Sequence, residues 1–546
     1  MIKNKKWSVL SLLIIIAMVL GACAAPAVDT SAADAAAAAA EAAAAEKIAE
    51  LEAQLAEASD AGQSDEDVAA LQSQLEEAQA AADEAAAAAE EAAAAAMVEE
   101  QPSWYPLTME DFTNANIDWQ GPAKNGPAEG ITLHVAVLSH PYINSLRPYI
   151  PLFEELTGVE VAYDILPTEE FWVKTAADLA GGTGFYDLVM TGTEFEWGWD
   201  EAGWLYDLNE FIDDPELTDK DWYDLDDFYP YDLAAHAWNG EYGIGTYGQG
   251  RQNAIPVNSE PLMLMCNQEL LDNAGLPGPP TTWEEWAEYA EAMTGDGNYG
   301  VVQRGARDYS LMYGYAPGFF AYADRDLDEN LKPVFNCPEC VEYTQLYGDT
   351  LREYGPPGQT NIGWDAVIAN MISGTVGCAV DDMAFVGDNY ENPDASQVVG
   401  KMVYGNPPAG PTGEIRIPVW YWSWSINSAT SRPEAAWLFM QWATSSPVMT
   451  IVSAQQRSMV PVRKSVWESD EMVEITKDWG NFREAIDASR PYWGNFYTVQ
   501  PNMVAMTAPW VVAIQEVILG EKTAQEALDN AVIESEKILS DAGLYD

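Results

Sequence analysis

The sequence has 546 residues with 87 Asp and Glu against 25 Lys and Arg, a formal net charge of −62. So acidic a chain repels nucleic acid and anionic lipid headgroups, which excludes both as expected partners. It is also too long for one simple core and suits two lobes behind a non-globular N-terminal stretch.

Lys3, Lys5 and Lys6, the apolar run Val9 to Leu20 and the small residues that follow have the layout of a secretory signal over residues 1–22, too short to span a bilayer. Leu20-Gly21-Ala22-Cys23 resembles a lipobox, in which Cys23 becomes the acylated N-terminus and tethers the protein to the cell membrane outside the cytoplasm. The plainer alternative is an ordinary cleaved signal with an incidental Cys. Ala24 leaves open which membrane holds the anchor.

Residues 23–100 read as a spacer: Ser31 to Glu100 holds 18 acidic residues and one Lys, with no aromatic residue and no Pro. Ala and Glu favour helix. Ile48, Leu51, Leu55, Ala58 and then Val68, Leu71, Leu75, Ala78 follow coiled-coil spacing, each for only about two heptads. A helical hairpin, a broken rod and a structureless linker all stay open. A straight helix of this length would reach roughly 100 Å. Residues 101–129, rich in Pro, Asn and Gly, read as a connector.

From residue 130 the pattern becomes α/β. Ile131 to Leu138, Val159 to Tyr163 and Tyr186 to Met190 read as strands, with helices over Tyr149 to Leu156 and Phe171 to Leu179 between them. That alternation predicts a parallel sheet covered by helices, with ligand beyond the carboxyl ends of its strands. Those ends are Ser139-His140-Pro141-Tyr142, Thr168-Glu169-Glu170 and Thr191-Gly192-Thr193-Glu194. Of the cysteines, Cys337-Pro-Glu-Cys340 lacks the second half of a zinc site, so a local Cys337–Cys340 disulfide is expected in an oxidising exterior. Cys266 and Cys378 lie in apolar runs and read as buried thiols or a second bridge.

Further motifs recur in a known order. Thr157-Gly158-Val159-Glu160-Val161 opens the second strand. Ala202-Gly203-Trp204-Leu205-Tyr206-Asp207-Leu208 follows the third. Leu264 to Leu276, including Asn267 and Ala274-Gly275-Leu276, precedes Thr282-Trp283-Glu284-Glu285-Trp286. Arg432-Pro433-Glu434-Ala435-Ala436-Trp437, Met459-Val460-Pro461-Val462-Arg463 and Gly520 to Leu528 close the series. This order resembles the extracellular solute-binding proteins of ABC importers, in the family 1 group of maltose-, sugar- and polyol-binding proteins. Cys266 stands where that family usually has Tyr, and Gln268 where Lys is common. The resemblance implies a two-lobe α/β fold of the periplasmic-binding-protein type II class. Lobe 1 would take about 130–256 and 417–469, lobe 2 about 257–416 and 470–546. It also implies a hinge motion that closes the lobes on ligand and an ABC permease as partner. No cofactor, metal or enzymatic activity is implied.

A carbohydrate or polyol needs carboxylates and amides for its hydroxyls and aromatic rings for its apolar face. With 21 Trp and 26 Tyr against 14 Phe, the composition leans that way, though most aromatic side chains in any domain are packing. Trp420-Tyr421-Trp422-Ser423-Trp424 alternates where the chain returns to lobe 1, placing Trp420 and Trp422 on one strand face. Asp381 and Asp382 follow the strand Thr375 to Val380 and are either hydroxyl ligands or a turn with a helix cap. Arg304, Glu194, Glu170, Tyr492 and Trp493, the last two beside Arg490, complete the candidates. A surface glycoside hydrolase also uses acidic pairs, and an adhesin would use the coiled coil. Three scattered His and no HExxH, GxSxG or Walker loop give an enzyme little support.

Overall fold

The computed structural model describes residues 107–121, 130–457 and 459–545. Cys23, the signal and the spacer lie outside them.

Part of the expected connector is seated on the body. Glu110–Thr113 forms one helical turn whose Phe112 is fully buried, 6.3 Å from the Trp222 ring and 6.4 Å from Trp442. The Trp119 indole donates to the Phe112 carbonyl at 3.2 Å. Two aromatic anchors therefore hold a segment whose Pro, Asn and Gly content reads as linker.

The first lobe is built on β1 (Thr132–Leu138), β2 (Glu160–Leu166) and β3 (Leu188–Gly192), with β1 parallel to both neighbours. Helices Ile150–Thr157 and Thr168–Gly181 make the crossovers. Gly158 ends the first of them with φ 78°, a left-handed conformation that side chains disfavour, and Thr157 bridges the turn by accepting from the Val159 N–H at 3.0 Å. A two-stranded ribbon, β4 (Ala237–Trp238) with β5 (Arg251–Gln252), lies beyond.

The second lobe uses the far half of β6 (Ile255–Asn267) with β7 (Tyr299–Val301), β8 (Val376–Asp382) and β9 (Met402–Gly405). Strand β10 (Ile417–Ile426) returns to the first lobe, and β11 (Trp493–Gly494) pairs with its start. The nine-stranded order is β2-β1-β3-β10-β6-β8-β7, with β11 on β10 and β9 on β6. Strand β6 joins the lobes. Its residues up to Pro261 pair with β10, while Leu262 to Cys266 pair with β8. Proline lacks the N–H a ladder needs, and Pro256 stands opposite Ser423, where the β10 register shifts.

Most tryptophans are core. Trp283, Trp286 and Trp510 fill the second lobe with Tyr315, Phe319 and Tyr343, while Trp424, Trp437 and Trp442 fill the first with Phe153 and Phe439. Cys266 and Cys378 face each other across β6 and β8 and are joined by a disulfide. A second disulfide joins Cys337 to Cys340 at the start of helix Pro338–Tyr354. Among the described residues no helix is long and apolar enough to cross a membrane.

Candidate functional site

The site is assembled where the ends of β1, β3, β7 and β8 meet the two lobe-joining strands. From the first lobe, His140 follows β1 and caps helix Pro141–Leu146, its Nδ1 accepting from the Tyr142 N–H at 3.2 Å. Nδ1 is therefore the acceptor nitrogen, and the ring proton sits on Nε2. Nε2 lies 3.5 Å from Glu260 Oε1. Burial lowers the His140 pKa to about 4, so the ring is uncharged at neutral pH. Glu194 enters in the first turn of helix Thr193–Glu201, directly after β3. It is 6 % exposed, and burial raises its pKa to about 8, against the lowering effect of the Tyr309 hydroxyl from the other lobe.

The lobe-joining strands alternate. On β10, Tyr421 donates to Asp232 at 3.0 Å and Ser423 to Glu196 at 2.5 Å, on the face away from the site. Trp420 and Trp422 take the opposite face. On β6, Ser259 likewise turns to Asp232 at 2.9 Å, leaving Glu260 on the site side, where Asn258 Nδ2 donates to it at 3.2 Å.

The second lobe supplies Arg304 after β7 and the end of β8. Arg304 Nε reaches both Asp381 oxygens, at 2.8 and 3.0 Å, and the guanidinium lies 4.2 Å from the Tyr313 ring centre. Asp382 accepts from the Ala384 N–H at 2.7 Å, so it is a helix cap as well as a site group. Burial and the neighbouring Glu260 push the Asp382 carboxyl well up, and burial raises Glu260 to about 7. Two buried carboxyls this close cannot both ionise cheaply, so they share a proton.

Aromatic rings wall this polar cluster. Trp420 lies 5.3 Å from Trp422, 6.2 Å from Phe195, and 6.4 and 6.1 Å from Tyr309 and Tyr313 across the lobes. Trp422 stacks on Trp172 at 6.1 Å and contacts His140 at 5.4 Å. Glu194 Oε2, Thr193 Oγ1 and Trp420 Nε1 are buried without a hydrogen-bond partner, and Asp382 Oδ2 has none besides the proton shared with Glu260. Such groups cost about 1–3 kcal/mol each when left unmet, which marks them as positions for a ligand's hydroxyls. Among the described residues no set of His, Cys, Asp and Glu is arranged to hold a metal ion.

Six of the sequence candidates come together here: Glu194, Arg304, Asp381, Asp382, Trp420 and Trp422. Three do not. Glu170 is half exposed and ion-paired with Lys174 at 2.5 Å, one helical turn on. Tyr492 is an exposed turn residue, and Trp493 is buried in β11 with its indole bonded to Ser489 at 2.8 Å. Arg490 beside them stacks 3.5 Å over Tyr229. Sequence reasoning left out Glu260, Tyr309, Tyr313, Phe195 and Trp172. Glu260 alone carried a signal, as a single charge in a 13-residue strand that is otherwise uncharged.

Residues 140–450 match the family model of bacterial extracellular solute-binding proteins, and the chain belongs to that family. The family is one of extracytoplasmic binding proteins. The chain is 28 % identical over 421 residues to an erythritol/L-threitol-binding protein of Mycolicibacterium smegmatis, covering 75 % of this chain and 87 % of that one. It is 25 % identical over 334 residues to a mannitol-binding protein of Pseudomonas aeruginosa, covering 60 % and 71 %. Among solved structures, an ABC transporter solute-binding protein from Agrobacterium radiobacter K84 in complex with ribitol superposes with TM-score 0.67 at 25 % identity, over 76 % of this chain and 100 % of that one. A maltose-bound protein of T. maritima shares the fold with TM-score 0.64 at 20 % identity, over 75 % and 100 %.

Proposed function

We propose that this protein is the membrane-anchored receptor of an ABC importer, holding a sugar, oligosaccharide or polyol between its lobes and delivering it to the permease. The observation that carries this reading is the buried set of unmet oxygens and indole N–H between aromatic walls, with Glu194 on one lobe, Asp382 on the other and Trp420 between. Carboxyls and amides suit vicinal hydroxyls, and the rings suit the carbon skeleton. Relatives that bind erythritol or threitol, mannitol and ribitol support the polyol end of this class. Cys23 serves as the lipid anchor, and the Ala/Glu-rich spacer as the stalk between anchor and body.

Calorimetric titration and thermal melting against tetritols, pentitols, hexitols and maltose test the reading. Saturable binding that raises the melting temperature and leaves the solute unchanged is the expected result. Solute turnover would point instead to a hydrolase. Trp422→Ala and Asp382→Ala should each weaken binding at least about tenfold, as removal of central contacts does. Replacing Cys23 by Ala should release the protein from the membrane fraction.

A further inference from the structure

The charges around the site are unevenly matched. Arg304 is the cation whose field reaches Glu260 and Asp382. Its guanidinium is already taken: Nε forks to both oxygens of Asp381 and its face lies on Tyr313. An Arg engaged in this way has its charge met by its own carboxylate and offers little to a third anion. His140 brings a neutral N–H, since its other nitrogen accepts from the backbone. What faces a solute is then Glu194 from the first lobe, Glu260 from β6 and Asp382 from β8, all at most 6 % exposed. The unpartnered atom among them is a carboxyl oxygen of Glu194, with Asp382 Oδ2 meeting only the proton shared with Glu260 and the Thr193 hydroxyl and Trp420 indole N–H beside them.

We infer that this cluster is a charge filter: it admits uncharged polyols and excludes polyols that carry a carboxylate or phosphate, and Glu194, Glu260 and Asp382 are its specificity-determining residues. The inference rests on the polyol reading above. A hydroxyl can donate to one of these oxygens and accept from the indole or the shared carboxyl proton, so a neutral diol meets both kinds of partner. A ligand anion would be buried beside Glu194 and the Glu260–Asp382 pair, which keeps one negative charge, while the nearby Arg304 is held by Asp381, and an unpaired buried charge is strongly disfavoured. The aromatic walls cannot compensate, because ring faces attract cations and repel anions.

The test compares each alditol with its aldonic acid (ribitol with ribonate, mannitol with mannonate) by calorimetry on the full-length protein. The better-bound alditol should bind at least about a hundredfold tighter than its aldonate. Glu260→Gln with Asp382→Asn, and separately Glu194→Gln measured above pH 8 where that carboxyl is ionised, should narrow that gap by about tenfold or more, each variant being checked for a cooperative melt. An aldonate that binds the unmodified protein within tenfold of its alditol would overturn the inference while leaving the polyol reading intact. So would a gap that neither folded variant narrows. Failure of every alditol to bind would instead sink the polyol reading and this inference with it.

Discussion

At the scale of single residues, the site concentrates protons held against their usual chemistry. Burial raises Glu194 to about 8 and Glu260 to about 7, while it lowers His140 to about 4. A carboxyl whose pKa is higher in the fold than in the unfolded chain stabilises the fold at low pH and loses that stabilisation as pH rises through the folded value. His140 acts in the opposite sense, its contribution being complete above its unfolded pKa of 6.5 and lost toward about 4. Above pH 6.5 the carboxyls dominate the titration of this cluster, the unfolded His140 losing only its last half-proton. The ligand-free protein should therefore melt at a lower temperature at pH 8 than at pH 6.5, with Glu194 accounting for about 2 kcal/mol at most. Differential scanning calorimetry across that window checks this, and Glu194→Gln should flatten the trend. A melting temperature that rises from pH 6.5 to 8 would contradict the assignment of burial as the dominant cause.

Between elements, close approach and strand register do the positioning. A Cβ built on Gly192, where β3 turns into helix Thr193–Glu201, would lie 2.1 Å from the Trp420 ring. Gly192→Ala must therefore push Trp420 out of place. Polyol affinity should fall about tenfold or more, with an overpacking cost of roughly 1–3 kcal/mol in stability. Titration and melting of the same sample separate the two effects. The Cys266–Cys378 bridge ties β6 to β8 in the register that also sets Asp382 opposite Leu262. Removing it by Cys266→Ala with Cys378→Ala should cost about 2–4 kcal/mol in urea unfolding. Element phase also explains the fate of the two first-lobe candidates. Glu170 and Glu194 both follow a strand end, yet Glu170 projects to Lys174 and water, while Glu194 turns toward the lobe-joining strands. Composition at a strand end names the loop, and helix phase chooses which carboxylate enters the site.

At the scale of the whole molecule, β6 and β10 cross between lobes side by side, with β11 beside β10, and the site lies on one face of that crossing. A hinge motion about these strands would move Tyr309, Arg304 and Asp382 relative to His140 and Glu194. Ligand that touches both sets must favour the closed arrangement by its extra contacts there. Small-angle scattering should show a smaller radius of gyration on polyol binding, and Trp420→Ala should abolish the change at ligand levels that saturate the unmodified protein.

Much of this architecture is legible in the sequence. Alternation and apolar runs mark β1, β2, β3, β8 and β10 within a few residues, and the motif order implies two lobes. The acidic pair at the end of β8, Arg304 after β7 and the tryptophans of β10 stand out because each is a polar or ring-bearing group at the end or in the run of a strand. Those are local properties, set by backbone period and side-chain type along a few consecutive residues. The tertiary structure alone decided that Glu260 faces the site and Ser259 does not, that Trp424 is core while Trp422 is wall, and that Tyr492 and Trp493 stand outside the cluster. It alone brought Tyr309 and Tyr313 against Trp420. Each of these depends on register, twist and the approach of segments more than a hundred residues apart, and no local period carries that information.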